Sequence, residues 1–299
     1  MSLLVIGSIA FDKIETPYAS RDEAIGGAAV YFSYAAAHFA PIRLIGVIGE
    51  DFPGEQIQKL QDLGVDTSGV ETAAGETFRW AGRYEADWNT RHTLETRLGV
   101  FEHWDPKVPA DLRDARYVFL ANAAPAVQAK ALDQCTNADF VMVDTMNLWI
   151  DIAKEDLLAL LKRVDGIVLN DEEARMLTGE TNLIQAARGV LKLGPKYVVL
   201  KKGEHGAFLI GEGVHFSMPA YPVEKVVDPT GAGDCFAGGF MGYVAQAQNT
   251  DPTTLKRAML YGTVTASFCV EGFSVEELER RDRGMVEARF NELLSITSL

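Results

Sequence analysis

The run DPTGAGD, Asp228 to Asp234, sets one carboxylate behind a glycine turn and ahead of a segment with a helical pattern, CFAGGFMGYVAQAQ. A helix that begins at Gly231, Ala232 and Gly233 leaves its first backbone N–H groups without intrahelical partners. They point, with the positive end of the helix, at one spot. An anion held there lies beside Asp234. That pairing suits phosphoryl transfer: the amides hold the charge that builds on the transferring oxygens, and Asp234 takes the proton of an attacking hydroxyl. A plainer role is open to the same residue, because an Asp N-cap stabilises a helix by about 1 kcal/mol without doing chemistry. Gly238, Gly239 and Gly242 follow. Each costs about 1 kcal/mol relative to Ala within a helix, so another element is expected to pack closely there.

Other phosphate-binding patterns fail. The chain has no Gly-Lys dipeptide, which removes GxxxxGK[ST], and from Gly231 the GxGxxG pattern meets Phe236 where its third glycine belongs. A dinucleotide-dependent oxidoreductase is thereby disfavoured.

The elements that must position Asp234 show in the hydrophobic pattern. LLVIGSI, RLIGVIG, YVFLAN, FVMVDT, GIVLN and YVVLKKG read as strands buried on both faces, with helical patterns between them. Such alternation predicts a mainly parallel sheet covered by helices. Glu76 to Trp104 has another texture, two alternating segments split by ADWNTR, which predicts an antiparallel hairpin or small sheet. Phe78, Trp80 and Tyr84 share one face of it and Arg79 and Arg83 the other. That sheet either rests one face on the core or closes its aromatic face over a substrate. After Val226 the pattern is helical, and Asp251 before Pro252 marks a helix start.

Composition narrows the partners. Hydrophobic residues are 47% and charged residues 23% of 299, as in an ordinary folded enzyme. Lys plus Arg number 28 against 42 Asp plus Glu, a net charge of -14 that disfavours nucleic acid and anionic membranes. Cys135, Cys235 and Cys269 are scattered and odd in number, which fits reduced thiols in the cytoplasm. No apolar run is long enough to span a bilayer.

DPTGAGDCFAGGF resembles the C-terminal signature of the PfkB, or ribokinase-like, carbohydrate and nucleoside kinases. GGAAVYFSYAAAHFAPIRLIGVIGEDFPG from Gly26 and Gly27 resembles the family's N-terminal signature, and NDEEA from Asn170 its Asn-x-x-Glu element. These stand in the family's order over nearly the whole chain. The resemblance implies one domain over 1–299, a ribokinase-like three-layer α/β/α fold with a β-sheet lid formed by about 11–25 and 75–104. It implies an ATP-dependent kinase with Asp234 as base and the Gly231, Ala232 and Gly233 amides as anion hole. Asn170 and Glu173 would position Mg2+ through water, although Asn170 is also a good N-cap. Gly203 and Gly206 match a turn near the nucleotide, with Lys202 beside it as a cation for ATP phosphates. Asp228 and Thr230 would orient the catalytic loop, and EGFSVEELE would be the counterpart of the family's adenine-lining loop.

On the acceptor side Asp12 matches the acid that reads substrate hydroxyls, while Ala10 and Tyr31 stand where ribokinases have Asn. Ribose bound in the ribokinase manner is therefore disfavoured. Tyr31, Phe32, Phe78 and Trp80 offer faces for stacking on a base or sugar, and Tyr31 and Phe32 equally suit a helix core. VDTMNLWID lacks the Asp-x-Asn-x-Arg pattern of fructokinases and ketodeoxygluconate kinases. The leading expectation is phosphorylation of a primary hydroxyl of a small sugar, with a nucleoside kinase next and a non-catalytic nucleotide- or sugar-binding regulator more distant. A homodimer through the lid is expected.

Overall fold

The computed structural model describes residues 2–297. Along the chain the strands are β1 (Leu3–Ile6), β2 (Ala10–Glu15), β3 (Ser20–Gly26), β4 (Ile42–Gly49), β5 (Val65–Ala73), β6 (Phe78–Tyr84) and β7 (Arg91–Arg97). They continue as β8 (Tyr117–Leu120), β9 (Phe140–Asp144), β10 (Gly166–Asn170), β11 (Tyr197–Lys201), β12 (Ala207–Gly211) and β13 (Val214–Met218). The helices are α1 (Ala28–Ala36), α2 (Gly54–Asp62), α3 (Pro125–Leu132), α4 (Asn147–Ile152), α5 (Lys154–Leu161) and α6 (Asp171–Thr178). After them come α7 (Leu183–Leu191), α8 (Ala232–Ala247), α9 (Pro252–Cys269), α10 (Glu276–Glu279) and α11 (Arg283–Thr297).

Nine strands form the main sheet in the order β13-β12-β11-β10-β9-β8-β1-β4-β5. From β5 to β11 every neighbour pair is parallel, and β12 and β13 close the sheet antiparallel. The pleat sorts each parallel strand into two cores. Leu3, Val5, Leu44, Phe119, Met142, Val168 and Val199 pack with α1, α8, α9 and α11. Leu4, Ile6, Ile45, Val118, Leu120, Val143, Leu169 and Leu200 pack with α3, α5, α6 and α7. The result is the three-layer α/β/α arrangement that the strand pattern anticipates.

The helical glycines of α8 let it sit tightly between neighbours. A Cβ on Gly238 would stand 2.4 Å from the Phe32 carbonyl of α1, and one on Gly239 would stand 2.3 Å from Thr265 Oγ1 of α9.

A second sheet, in the order β3-β2-β6-β7, draws on 10–26 and 78–97. The β6–β7 hairpin turns through ADWNTR, where the Asp87 carboxylate accepts from the N–H groups of Asn89 and Thr90. The expected shared face of Phe78, Trp80 and Tyr84 is divided. Trp80 and Tyr84 pack with Ile14, Ala24 and Phe273, whereas Phe78 stacks on Phe101 at 5.6 Å between ring centroids and joins the main core. The 3-10 turn at Gly99–Phe101 brings that ring underneath the start of β6.

Candidate active site

The carboxyl ends of the parallel strands, the start of α8 and the small sheet converge, which is where open α/β sheets hold ligands. Gly231 is the N-cap of α8 with φ 75°, a left-handed conformation, and a Cβ on it would stand 2.4 Å from the Tyr31 ring. Both constraints call for glycine. Asp234 is the third residue of the helix and makes no capping bond, so the N-cap role does not apply to it. Of the three amides expected to form an anion hole, Ala232 N–H donates to the Pro229 carbonyl at 3.2 Å. The Gly231 and Gly233 N–H groups have no acceptor among the described residues. Two of the three expected donors are thus open, because the tight turn at Pro229 engages the third.

Asp234 is partly exposed as a residue, yet its carboxyl sits deep. Burial, with the charge of Asp144, pushes its pKa up to about 7 against the opposing pull of Lys201 and Arg91. Lys201 ends β11 opposite Asn170 of β10. Its Nζ lies 3.8 Å from Asp144 Oδ2, with both side chains largely buried. It also lies 2.7 Å from where a Cβ on Gly233 would stand, so the ammonium passes beside the first turn of α8. Burial works against that charge, but Asp144, Glu173 and Asp234 outweigh it and raise the Lys201 pKa. Asp144, its own pKa raised by burial, ends β9. There Gln128 of α3 donates to the carbonyls of Asp144 (2.9 Å), Ala121 (3.0 Å) and Leu120 (3.2 Å).

Lys201 and Asp144 are absent from the sequence-based candidates. The signal for Lys201 is strand parity: it is the last strand residue and its side chain turns inward. Lys202, expected to face phosphate, lies just past β11 with Nζ 4.0 Å from the Phe208 ring centroid. Nearby, Gly203 (φ 54°) and Gly206 (φ 82°) make a turn in which the Lys202 N–H donates to the Gly206 carbonyl at 2.8 Å.

Asn170 and Glu173 form a capping box on α6. Asn170 Oδ1 accepts from Glu173 N–H at 2.8 Å, and Glu173 Oε2 accepts from Asn170 N–H at 2.7 Å. The two side chains therefore do not project together from a helical face, since Asn170 stands outside α6 as its cap. Glu173 is 6% exposed, and burial, with Asp144 adding to it against Lys201, raises its pKa to about 7. Among the described residues no group of three or more His, Cys, Asp or Glu side chains is placed to hold a metal ion.

On the other side of Asp234, Asp12 is buried in β2. A Cβ on Gly26 would fall 2.0 Å from its Oδ2, which accounts for the glycine, and Gly27 has φ 95° at the N-cap of α1. Burial, Asp228 and Asp234 raise the Asp12 pKa to about 8. Tyr31 is 1% exposed, with its ring beneath Gly231. Of the two roles open to it, the core one holds: it offers no face for stacking on a base, because α1 lies inside the core. Its hydroxyl makes no hydrogen bond of ordinary geometry, yet lies near enough to Asp12 to lower that acid's pKa slightly.

Asp228 is fully buried and accepts from the N–H groups of Thr230 (2.8 Å) and Ser274 (3.5 Å). The Thr230 hydroxyl donates to the Tyr84 hydroxyl at 3.3 Å, joining the 228–234 segment to β6. Trp80 lies across Gly82, where a Cβ would stand 2.0 Å from the indole. The EGFSVEELE loop also serves the small sheet: Phe273 packs with Tyr84 and the Ser274 hydroxyl donates to the Ile25 carbonyl. It fastens β3 to the Asp228 turn.

Comparison with known proteins gives a consistent result. Residues 2–279 match the profile described as pfkB family carbohydrate kinase. A cytidine kinase of Thermococcus kodakarensis is 34% identical over 248 residues, 81% of this chain and 87% of that one. Among solved structures, a nucleoside kinase of Burkholderia thailandensis in complex with inosine superposes with TM-score 0.81 at 20% identity, over 98% of this chain and 99% of that one. A ribokinase of Arabidopsis thaliana complexed with ribose and ATP gives TM-score 0.79 at 22% identity, over 96% and 98%.

Proposed function

The chain belongs to the pfkB family of carbohydrate kinases, and from that premise we propose that it transfers the γ-phosphoryl group of ATP to a primary hydroxyl of a nucleoside. An ATP-dependent kinase acting on a sugar or nucleoside hydroxyl is what its relatives support together. The observation that carries the chemistry is the Asp234 carboxyl in the first turn of α8, beside the open Gly231 and Gly233 N–H groups and the Lys201 ammonium.

The acceptor hydroxyl gives its proton to Asp234 while its oxygen forms the new bond to phosphorus. The bond from the γ-phosphorus to the bridging oxygen breaks, and ADP leaves. The two amides and Lys201 hold the charge on the phosphoryl oxygens. Gly203 and Gly206, with Lys202, flank the nucleotide. Glu173 fits a Mg2+ ion held mostly through water, since Oε2 is spent on the cap while Oε1 accepts no hydrogen bond among the described residues. Asn170 holds Glu173 in place. The ion would neutralise phosphate oxygens of ATP.

Asp12 accepts hydrogen bonds from acceptor hydroxyls, the glycine pair at 26–27 permits close backbone approach, and Tyr31 braces the catalytic turn. Two observations favour a nucleoside over the small sugar: the 34% identity to a cytidine kinase, and the Trp80 indole on the inner cluster of the small sheet, a face for a base. A sugar alone remains the second reading, supported by Asp12. The fully exposed edge strand β7, with Leu94 outward, supports pairing of two small sheets into a homodimer. Three unpaired cysteines support a cytoplasmic location.

The test is ADP release from Mg-ATP across pentoses, hexoses, ketoses and ribonucleosides. ADP release with ribonucleosides alone supports the reading, and release with free sugars alone moves the acceptor to the second.

A further inference from the structure

The cations of the small sheet divide sharply. Arg79 pairs with Asp51 at 2.7 Å, Arg83 with Glu15 at 2.9 Å, Arg97 with Glu95 at 3.4 Å, Lys13 with Asp22 at 3.1 Å and Arg21 with Glu276 at 2.9 Å. Arg91 alone among these Lys and Arg residues makes no ion pair within the described residues. Its guanidinium instead lies 5.7 Å from the centroid of the Trp80 ring.

Arg91 is exposed, and its place in the hairpin sets it near the proposed site. Arg91 opens β7 and stands opposite Tyr84 in the β6–β7 register. The Tyr84 hydroxyl accepts from Thr230, four residues before Asp234. At the tip of the same hairpin, Asn89 Oδ1 is 2.7 Å from where a Cβ on Gly203 would stand. One end of the small sheet thus touches both the 228–234 segment and the turn beside β11, with Arg91 opposite Tyr84 of the first contact and two residues from Asn89 of the second. Its charge reaches Asp234 and Glu173, lowering the pKa of each.

We propose that Arg91 is a catalytic residue carried by the small sheet, donating N–H groups to the transferring phosphoryl oxygens from the side opposite the α8 amides. The inference rests on the kinase reading above. Arg91 keeps its proton throughout and no bond to it forms or breaks. It supplies fixed positive charge to a group whose charge spreads over three oxygens.

The test compares wild type, Arg91→Gln and Arg91→Lys, measuring acceptor-dependent ADP release together with equilibrium binding of ADP and of a non-hydrolysable ATP analogue. Wild-type turnover is the control for the kinase reading: a silent wild type removes both that reading and this one. With wild type active, Arg91→Gln is expected to lower kcat about 10²-fold and weaken the triphosphate analogue about tenfold or more, with ADP affinity within about twofold. Arg91→Lys should recover part of kcat. Wild-type kcat in Arg91→Gln, or equal weakening of ADP and the analogue, overturns the assignment.

Discussion

Lys201 Nζ lies 3.8 Å from Asp144 Oδ2 and beside Gly233 in the first turn of α8, so a buried ammonium shares the helix N-terminus with the Asp234 carboxyl. The cation holds down the pKa of an acid that burial pushes up. Replacing it with Lys201→Met should move the ascending limb of the kcat/KM pH profile to higher pH, because Asp234 then ionises less readily. An unmoved limb in an active, folded variant would show that Lys201 does not tune the base.

The acid limb itself is a second expectation. A base with a pKa of about 7 must be deprotonated to act, so kcat/KM should rise as pH passes through about 7 and level off above it. Activity already at its plateau at pH 5 would contradict this.

Stability should run the other way. Asp12, Asp228, Asp234 and Glu173 all have folded pKa values raised above their ordinary ones, to about 8, 6, 7 and 7. Such groups contribute stability that is full below the unfolded pKa and lost as pH rises through the folded one. His38 acts oppositely, because burial lowers its pKa and its contribution is lost on acidification. With Asp144, which burial also raises, five acids against one histidine predict a higher Tm near pH 5 than near pH 8 without ligands. Asp12→Asn should flatten the upper part of that slope. A Tm that climbs steadily from pH 5 to 8 would refute the assignment.

Gly231 tests the turn. Its φ of 75° and the Tyr31 ring against it leave no room for a side chain, and left-handed backbone costs a non-glycine residue about 1–3 kcal/mol. Gly231→Ala should lower Tm by several degrees and reduce kcat. A variant with unchanged Tm and kcat would mean the turn tolerates rearrangement.

Trp80 separates the acceptors. Trp80→Ala is expected to raise KM for a ribonucleoside about tenfold or more while leaving KM for ATP near its wild-type value, since removing a base-stacking aromatic costs about 1–3 kcal/mol per base. Equal KM for the nucleoside in both proteins would place the base elsewhere.

The main sheet was legible because its strands are buried on both faces, and the small sheet because its alternation breaks that texture. The start of α8 was legible in DPTGAGD, where glycines flag both the turn and the close contacts of the helix. What sequence concealed lay in parity and in distant packing. Lys201 and Lys202 are neighbours of one type, and only the end of β11 decides which turns inward. Asp144 reads as a strand-end acid until β11 arrives beside β10. Tyr31 suits a stacking platform or a core equally until α1 is seen under Gly231. The EGFSVEELE loop packs on a sheet made by residues some 250 positions earlier, as the Ser274–Ile25 bond shows, and no local pattern encodes that.

Asp234 acting as the base in phosphoryl transfer to a nucleoside hydroxyl makes its carboxylate indispensable to the chemical step. The direct measurement is single-turnover ADP formation from Mg-ATP with the ribonucleoside that best supports ADP release, for wild type and Asp234→Asn, alongside ATP binding to both. Asp234→Asn should lose at least ~10²-fold in the chemical step with ATP affinity preserved. Turnover near the wild-type rate in Asp234→Asn would contradict it.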